Sequence, residues 1–261
     1  LNLRMRLWRI IWGLMDTAFI VGNGESRNIF PIENLKGKGV IYGCNAIYRD
    51  HPMLCDHIVA VNPPMYEELA TWHNSGKESP QIHSIDDISK WNYICDGDKE
   101  TDVPDGLKIY RTWRGGDIKK GGKIKTNDFT KTKGSGCSAV LMAAESGIKN
   151  IVIMAFDIMG AQQWEIETPS RIQNNIYKNS INYPGRESMK AYLKYEWMYQ
   201  LRQTFRRFPK TNFIFINRKE YLQGNPFLRW YFDQSNIKCG IYADLQRWLT
   251  GHRDDIQWKT L

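Results

Sequence analysis

Short apolar runs closed by turns of glycine or asparagine constrain this chain more than any other feature. Thr17 to Val21 runs straight into Gly22-Asn23-Gly24-Glu25-Ser26. Gly39 to Gly43 leads into Cys44-Asn45-Ala46, and His57 to Val61 into Asn62-Pro63-Pro64. A short unbroken apolar run bounded by turn residues reads as a strand buried on both faces. Successive strands of this kind belong to an open parallel sheet, whose carboxyl-end turns are where ligands bind.

Further along, Met65 to Trp72 reads as a short helix. Trp91 to Cys95 and Leu107 to Trp113 carry weaker strand patterns, and Arg114 to Lys133 is a Gly/Lys-rich surface loop. Order returns at Gly134-Ser135-Gly136. A helix from Cys137 to Ser146 follows, with Gly147 as its C-terminal cap, and then a strand from Ile151 to Phe156 that ends at Asp157. Gly160 to Gly185 is polar and irregular and is read as a lid. Met189, Leu193, Trp197, Leu201 and Phe205 recur at every fourth position, the stripe of a helix packed on the core. Asn212 to Ile216 gives another strand and Ala243 to Leu249 a closing helix. The expected fold is α/β, a Rossmann-like, mostly parallel sheet flanked by helices, with a lid segment. Residues 15–261 form a single domain of that kind, behind an N-terminal extension over 1–14.

Composition narrows the classes. With 42% hydrophobic residues the 261-residue chain is globular. The formal charge of +8 suits anionic partners such as nucleotides, nucleic acid or anionic lipid, and equally a solubilising surface with no partner. The five cysteines are an odd number with no C-x-x-C pair, which argues against a zinc site or disulfide framework and for a reducing compartment. No run is long enough to span a bilayer. Leu3, Leu7, Leu14 and the arginines between them can form a basic amphipathic helix able to lie on a membrane. The expected location is the cytoplasm of a bacterium or phage-infected host, with a peripheral membrane association open to it.

Two turns are candidates for holding a nucleotide. The first is Gly22-Asn23-Gly24 with Ser26, where glycine lets a phosphate approach the backbone. It lacks the third glycine of G-x-G-x-x-G and is not a Walker A loop; an ordinary tight turn would read the same. The second is Gly134-Ser135-Gly136, where Ser135 can cap a helix whose N–H groups face an anion. Upstream lysines, Lys119 to Lys133, suit an anionic ligand or a solvated loop equally. Asp96-Gly97-Asp98 is either an Asp-Gly turn or a D-x-D pair for a divalent metal. The histidines, His51, His57, His73, His83 and His252, all fall outside the lid.

In order and spacing, Gly22-Asn23-Gly24-Glu25-Ser26, Cys44-Asn45-Ala46, Asn62-Pro63, Gly134-Ser135-Gly136 and the strand ending at Asp157 resemble bacterial sialyltransferases of the Cst type. Those carry G-N-G-P-S, C-N-Q, N-P, T-S-G and G-I-D at these places. The pattern, with Asn174-Asn175-Ile176-Tyr177-Lys178, is also similar to uncharacterised phage-encoded proteins. The resemblance implies a glycosyltransferase that uses CMP-sialic acid without a metal. Nucleotide binding would fall on Gly22, Asn23, Gly24, Ser26, Asn45, Asn62, Gly134, Ser135 and Gly136. The family's lid tyrosines correspond loosely to Tyr177 or Tyr183, which makes both candidate catalytic residues. The family's lid histidine has no counterpart between Phe156 and Phe208, so the base role passes to Asp157, and Glu25 and Gly134 depart from the family's Pro and Thr.

The expected function is therefore a nucleotide-sugar-dependent glycosyltransferase acting by direct displacement. Its partners are a CMP- or UDP-sugar and a glycan or other acceptor; no further cofactor is implied, and Mg²⁺ is allowed rather than required. Two other classes fit the same residues. One is a pterin diphosphokinase-like transferase using ATP and Mg²⁺, for which Asp96 and Asp98 would matter. The other is a phage nucleic-acid-modifying or non-catalytic nucleotide-binding protein, whose DNA affinity would fall with salt.

Overall fold

The structure, a computed structural model, describes residues 16–61, 63–73, 81–83, 134–158, 174–183, 192–223, 232–252, 256 and 258–259. In chain order the elements are β1 (Thr17–Val21), β2 (Val40–Cys44), β3 (His57–Val59), α1 (Pro63–His73), β4 (Gln81–His83), α2 (Ser135–Glu145), β5 (Asn150–Met154), α3 (Tyr192–Arg207), β6 (Asn212–Asn217), α4 (Lys219–Gln223), β7 (Ile237–Ile241) and α5 (Tyr242–Leu249). Short 3-10 turns span Glu25–Ile29, Ile32–Leu35 and Asn45–Arg49.

The apolar runs pair as expected. Among the described residues, seven parallel strands form one sheet in the order β4-β3-β2-β1-β5-β6-β7. Every residue of β1 is buried because alternate side chains serve opposite faces. Ala18 and Ile20 join Val140 of α2 and Phe205 of α3 on one side; Phe19 and Val21 join Leu35, Ile47 and Leu245 of α5 on the other. From β1 the chain winds outward through β2, β3 and β4, then returns through α2 to lay β5 on the other edge of β1. The winding thus reverses between β1 and β5, and the crevice outside their carboxyl ends is where such a sheet binds ligands.

Several boundaries differ from the sequence reading, each for a local reason. The strand expected to reach Phe156 stops at Met154, because Ala155 turns to φ 57°, in the left-handed region. β2 begins at Val40: a Cβ on Gly39 would lie 2.5 Å from the Thr17 carbonyl oxygen. Gly147, at φ 77°, ends α2 as expected. β4 and β7 were not foreseen; β7 reads Ile-Lys-Cys-Gly-Ile, and the exposed Lys238 and the glycine hide it. The weak strand patterns at 91–95 and 107–113, the extension 1–14 and the Gly/Lys-rich loop lie outside the described residues. Among the described residues, no helix is long and apolar enough to cross a membrane.

Candidate functional site

Gly22 and Gly24 are glycines because two chain segments touch there. The Gly22 N–H donates to the Met154 carbonyl and the Gly24 N–H to the Ala155 carbonyl, both at 2.9 Å. A Cβ on Gly22 would sit 2.4 Å from the Ala155 oxygen, and one on Gly24 would sit 2.5 Å from Asp157 Cγ. These N–H groups, expected to face a phosphate, are spent on splicing the end of β1 to the end of β5.

Between them, Asn23 is 8% exposed and spans to the neighbouring turn. Its Nδ2 donates to the Cys44 carbonyl at 3.0 Å and to the Tyr183 hydroxyl at 3.1 Å, while its Oδ1 is buried with no hydrogen-bond partner among the described residues. Asn45 takes φ 52°, a conformation asparagine tolerates better than most residues. Its Oδ1 accepts from the Ser135 hydroxyl at 2.7 Å. Ser135 is therefore not the cap that its sequence position suggested. It is the first residue inside α2, behind Gly134, and its Oγ also accepts the Val61 N–H at 3.2 Å. It ties the ends of β2 and β3 to the start of α2.

Among the described residues, Asp157 is the one carboxylate that lines the cleft. Four donors converge on it. Oδ1 accepts from Ser26 Oγ at 2.5 Å and Asn217 Nδ2 at 3.1 Å; Oδ2 accepts from the Ser26 N–H at 2.8 Å and Asn174 Nδ2 at 2.5 Å. A carboxylate offers about four lone-pair positions, so all are occupied. Burial raises its ionisation above the ordinary carboxylate range, against the pull of the Ser26 and Asn217 hydrogen bonds and of the Arg218 charge. Ser26, counted with the nucleotide contacts in the sequence reading, is instead 1% exposed behind Asp157.

These groups line a cleft of about 720 Å³, including space open to solvent, at the reversal point between β1 and β5. Its lining combines polar groups, Asn23, Asn45, Ser135, Asp157, Asn174 and Asn175, with apolar ones, Phe156, Ile158, Cys137 and Trp197. Gly136 admits the Phe156 ring, which would lie 2.6 Å from a Cβ there. Trp197 belongs to the helix stripe read as core packing and does pack against the core, but it is only half-buried and also lines the cleft beside Gly134, a contact across 63 positions that the stripe does not show. Gly134 donates its N–H to Gln200 Oε1 at 3.2 Å.

Cys44 and Cys137 also reach the cleft, but burial pushes the Cys44 thiol up to about 12 and Cys137 upward as well. Cys55 and Cys239 are raised by burial too. A thiol held protonated is a poor nucleophile. All four are expected to resist alkylation in the folded protein and to react once it is unfolded in urea. Mass spectrometry after quenched labelling checks this, and native labelling of Cys44 would contradict it.

Tyr177 and Tyr183, expected at the catalytic centre, do not line the cleft. The Tyr177 hydroxyl accepts from Arg27 Nη2 at 3.0 Å, and Arg27, 3% exposed, also pairs with Asp50 at 3.2 Å. The Tyr183 hydroxyl accepts from Asn23 Nδ2 at 3.1 Å. Burial raises the ionisation of both phenols. They are the buried underside of segment 174–183, which was read as part of the lid. That segment is fastened by Arg49 to Ser180 and the Ile181 carbonyl, and by Asn182 to Glu68 at 2.8 Å. Asn62, Asp96, Asp98 and the lysines 119–133 lie outside the described residues; among the described residues no group of three or more His, Cys, Asp or Glu is placed to hold a metal.

The chain is similar in structure to an alpha-2,3-sialyltransferase from Campylobacter jejuni in its apo crystal form, at 15% identity and a TM-score of 0.43, over 81% of this chain and 79% of that one. No family model matches the chain, and no curated protein matches it by sequence.

Proposed function

We propose that the protein is a glycosyltransferase that binds a nucleotide sugar in this cleft and passes the sugar to an acceptor hydroxyl by direct displacement. The observation that carries the reading is that the first turn of α2 and Asp157 meet in one cleft at the reversal point of the sheet. The first intrahelical bond of α2 is Ser138 N–H to Gly134 O, so the N–H groups of Ser135, Gly136 and Cys137 have no acceptor within the helix. A helix start of this kind attracts a phosphate. Phe156, Ile158 and Trp197 offer apolar lining to a base or sugar face. The order of motifs shared with sialyltransferases supports sugar transfer, with a CMP- or UDP-sugar as donor and a glycan or other hydroxyl compound as acceptor.

In the displacement, the acceptor oxygen bonds to the sugar carbon while the bond to the phosphate oxygen breaks and its electron pair leaves with the nucleotide. The hydroxyl proton goes to Asp157, whose raised ionisation suits a base. Of its four donors, Asn174 is the one from the segment over the cleft. The acceptor hydroxyl takes its place on the carboxylate.

The test is thermal unfolding with CMP, UDP, GDP, ATP and CMP-sialic acid, each with and without Mg²⁺. A ligand present at about 100 times its Kd adds about 2.7 kcal/mol, or roughly 5–10 °C in Tm. The expected result is a rise with CMP or UDP compounds irrespective of Mg²⁺. A rise with ATP and Mg²⁺ alone would replace this reading with the diphosphokinase-like one, and no rise with any nucleotide would overturn it.

A further inference from the structure

Asp157 is held from behind by a line of hydroxyl groups that reaches the last helix. Ser26 Oγ, which donates to Asp157 Oδ1 at 2.5 Å, lies 3.0 Å from the Tyr242 hydroxyl. The Ala155 N–H donates to the same Tyr242 oxygen at 3.2 Å. A serine hydroxyl has a single hydrogen, and an ionised carboxylate can only accept. The Ser26 hydrogen is therefore committed to Asp157, and Tyr242 must be the donor to Ser26. The order of donation is fixed from end to end: Ala155 N–H to Tyr242, Tyr242 O–H to Ser26, Ser26 O–H to Asp157. Tyr242 keeps its proton, because burial above all, and then the Asp157 charge, raise its ionisation against the Ser26 hydrogen bond.

We propose that Tyr242 is a positioning residue for Asp157: acting through Ser26, it commits Oδ1 to accepting a hydrogen bond and leaves Oδ2 as the oxygen that takes the acceptor's proton. The proposal rests on the reading of Asp157 as proton acceptor given above. A proton on Oδ1 would meet a donated hydrogen head-on, that of Ser26 or that of Asn217 Nδ2, and the Asn217 amide is held that way round by the Arg218 N–H on its own Oδ1. Relief would require the line to reverse, with Ser26 donating to Tyr242. The Ala155 amide cannot reverse, and no other acceptor is hydrogen-bonded to Tyr242 among the described residues to receive the displaced phenol hydrogen. On Oδ2 the position held by Asn174 opens toward the cleft. The other groups bearing on Asp157 are Asn217 and the charged Arg218, both at the end of β6. In a line of donors, each bond polarises the next, so Tyr242 reaches a carboxylate that it does not touch.

The test reads the carboxyl itself and needs no turnover, so its outcome is separate from that of the nucleotide panel. In protein labelled with ¹³C-aspartate, the Asp157 carboxyl resonance is identified by its loss in Asp157→Asn and followed against pH. Tyr242→Phe keeps the ring packed beside Phe30, at 5.8 Å, and removes the donor. The expected result is a titration midpoint raised by about one pH unit, tenfold in proton affinity. In a Ser26→Ala background the same substitution is expected to add nothing. If Tyr242→Phe fails to fold, 3-fluorotyrosine at position 242, a stronger donor of nearly the same size, is expected to lower the midpoint. A midpoint unmoved by either change, or one that moves equally without Ser26, would overturn the proposal.

Discussion

Gly22→Ala is expected to lower the stability of the protein by about 3 kcal/mol or more, and Gly24→Ala to do the same. The new methyl carbon at position 22 would stand 2.4 Å from the Ala155 oxygen and 3.0 Å from its carbonyl carbon. Both are backbone atoms, and the Gly22 N–H is bonded to Met154 immediately beside them. The β1 end cannot retreat without giving up that bond and its neighbour from Gly24. At position 24 the clash falls on Asp157 as well. Gly37 is the control. It sits at φ 69° with open space around it, so alanine there meets only the left-handed backbone penalty, about 1–2 kcal/mol. Urea unfolding of the three variants checks the order. Gly22→Ala costing no more than Gly37→Ala would mean that the segment has slack, and that its glycines serve something other than close approach.

That comparison also marks how much of the molecule was legible in the sequence. Ala18–Val21 in β1, Ile151–Met154 in β5 and Ala139–Ala144 in α2 are unbroken apolar runs, so their burial could be read directly, and the turns between them located the cleft. What those turns do could not be read. A glycine that admits a phosphate and a glycine that admits another backbone look the same in one dimension. Ser26 shows the limit: it meets Asp157 across 131 positions and Tyr242 across 216. Tyr242 opens a helix that was expected to begin one residue later, and Asn217 lies one residue past an expected strand. In the sequence both fall in featureless connections, while Tyr177 and Tyr183, the more conspicuous tyrosines, hold segment 174–183 down from beneath.

Under the proposed function, Asp157→Asn is expected to reduce sugar transfer by about 10²–10⁴-fold, the range for loss of a positioned base. It is also expected to lower stability by about 2–4 kcal/mol, because donors are left facing a donor. The amide has the shape of the carboxylate, but one of its two ends is now NH₂. Placed at either end, it opposes two of the four donors: Ser26 Oγ and Asn217, or the Ser26 N–H and Asn174. The pH dependence separates charge from shape. Burial raises the Asp157 ionisation above its unfolded value, near 3.9 for an aspartate. The stabilisation from the raised value is complete below the unfolded pKa and is lost as pH rises through the folded one. Asparagine has no such term. The gap in unfolding free energy between wild type and variant should therefore narrow with rising pH over that interval, and stay level above it. Urea titrations through the acid range measure the gap directly. A gap that does not change would mean that four donors solvate the carboxylate as well as water does. Asp157 would then be a fixed anchor for the turn at the end of β1, and the base would have to come from elsewhere.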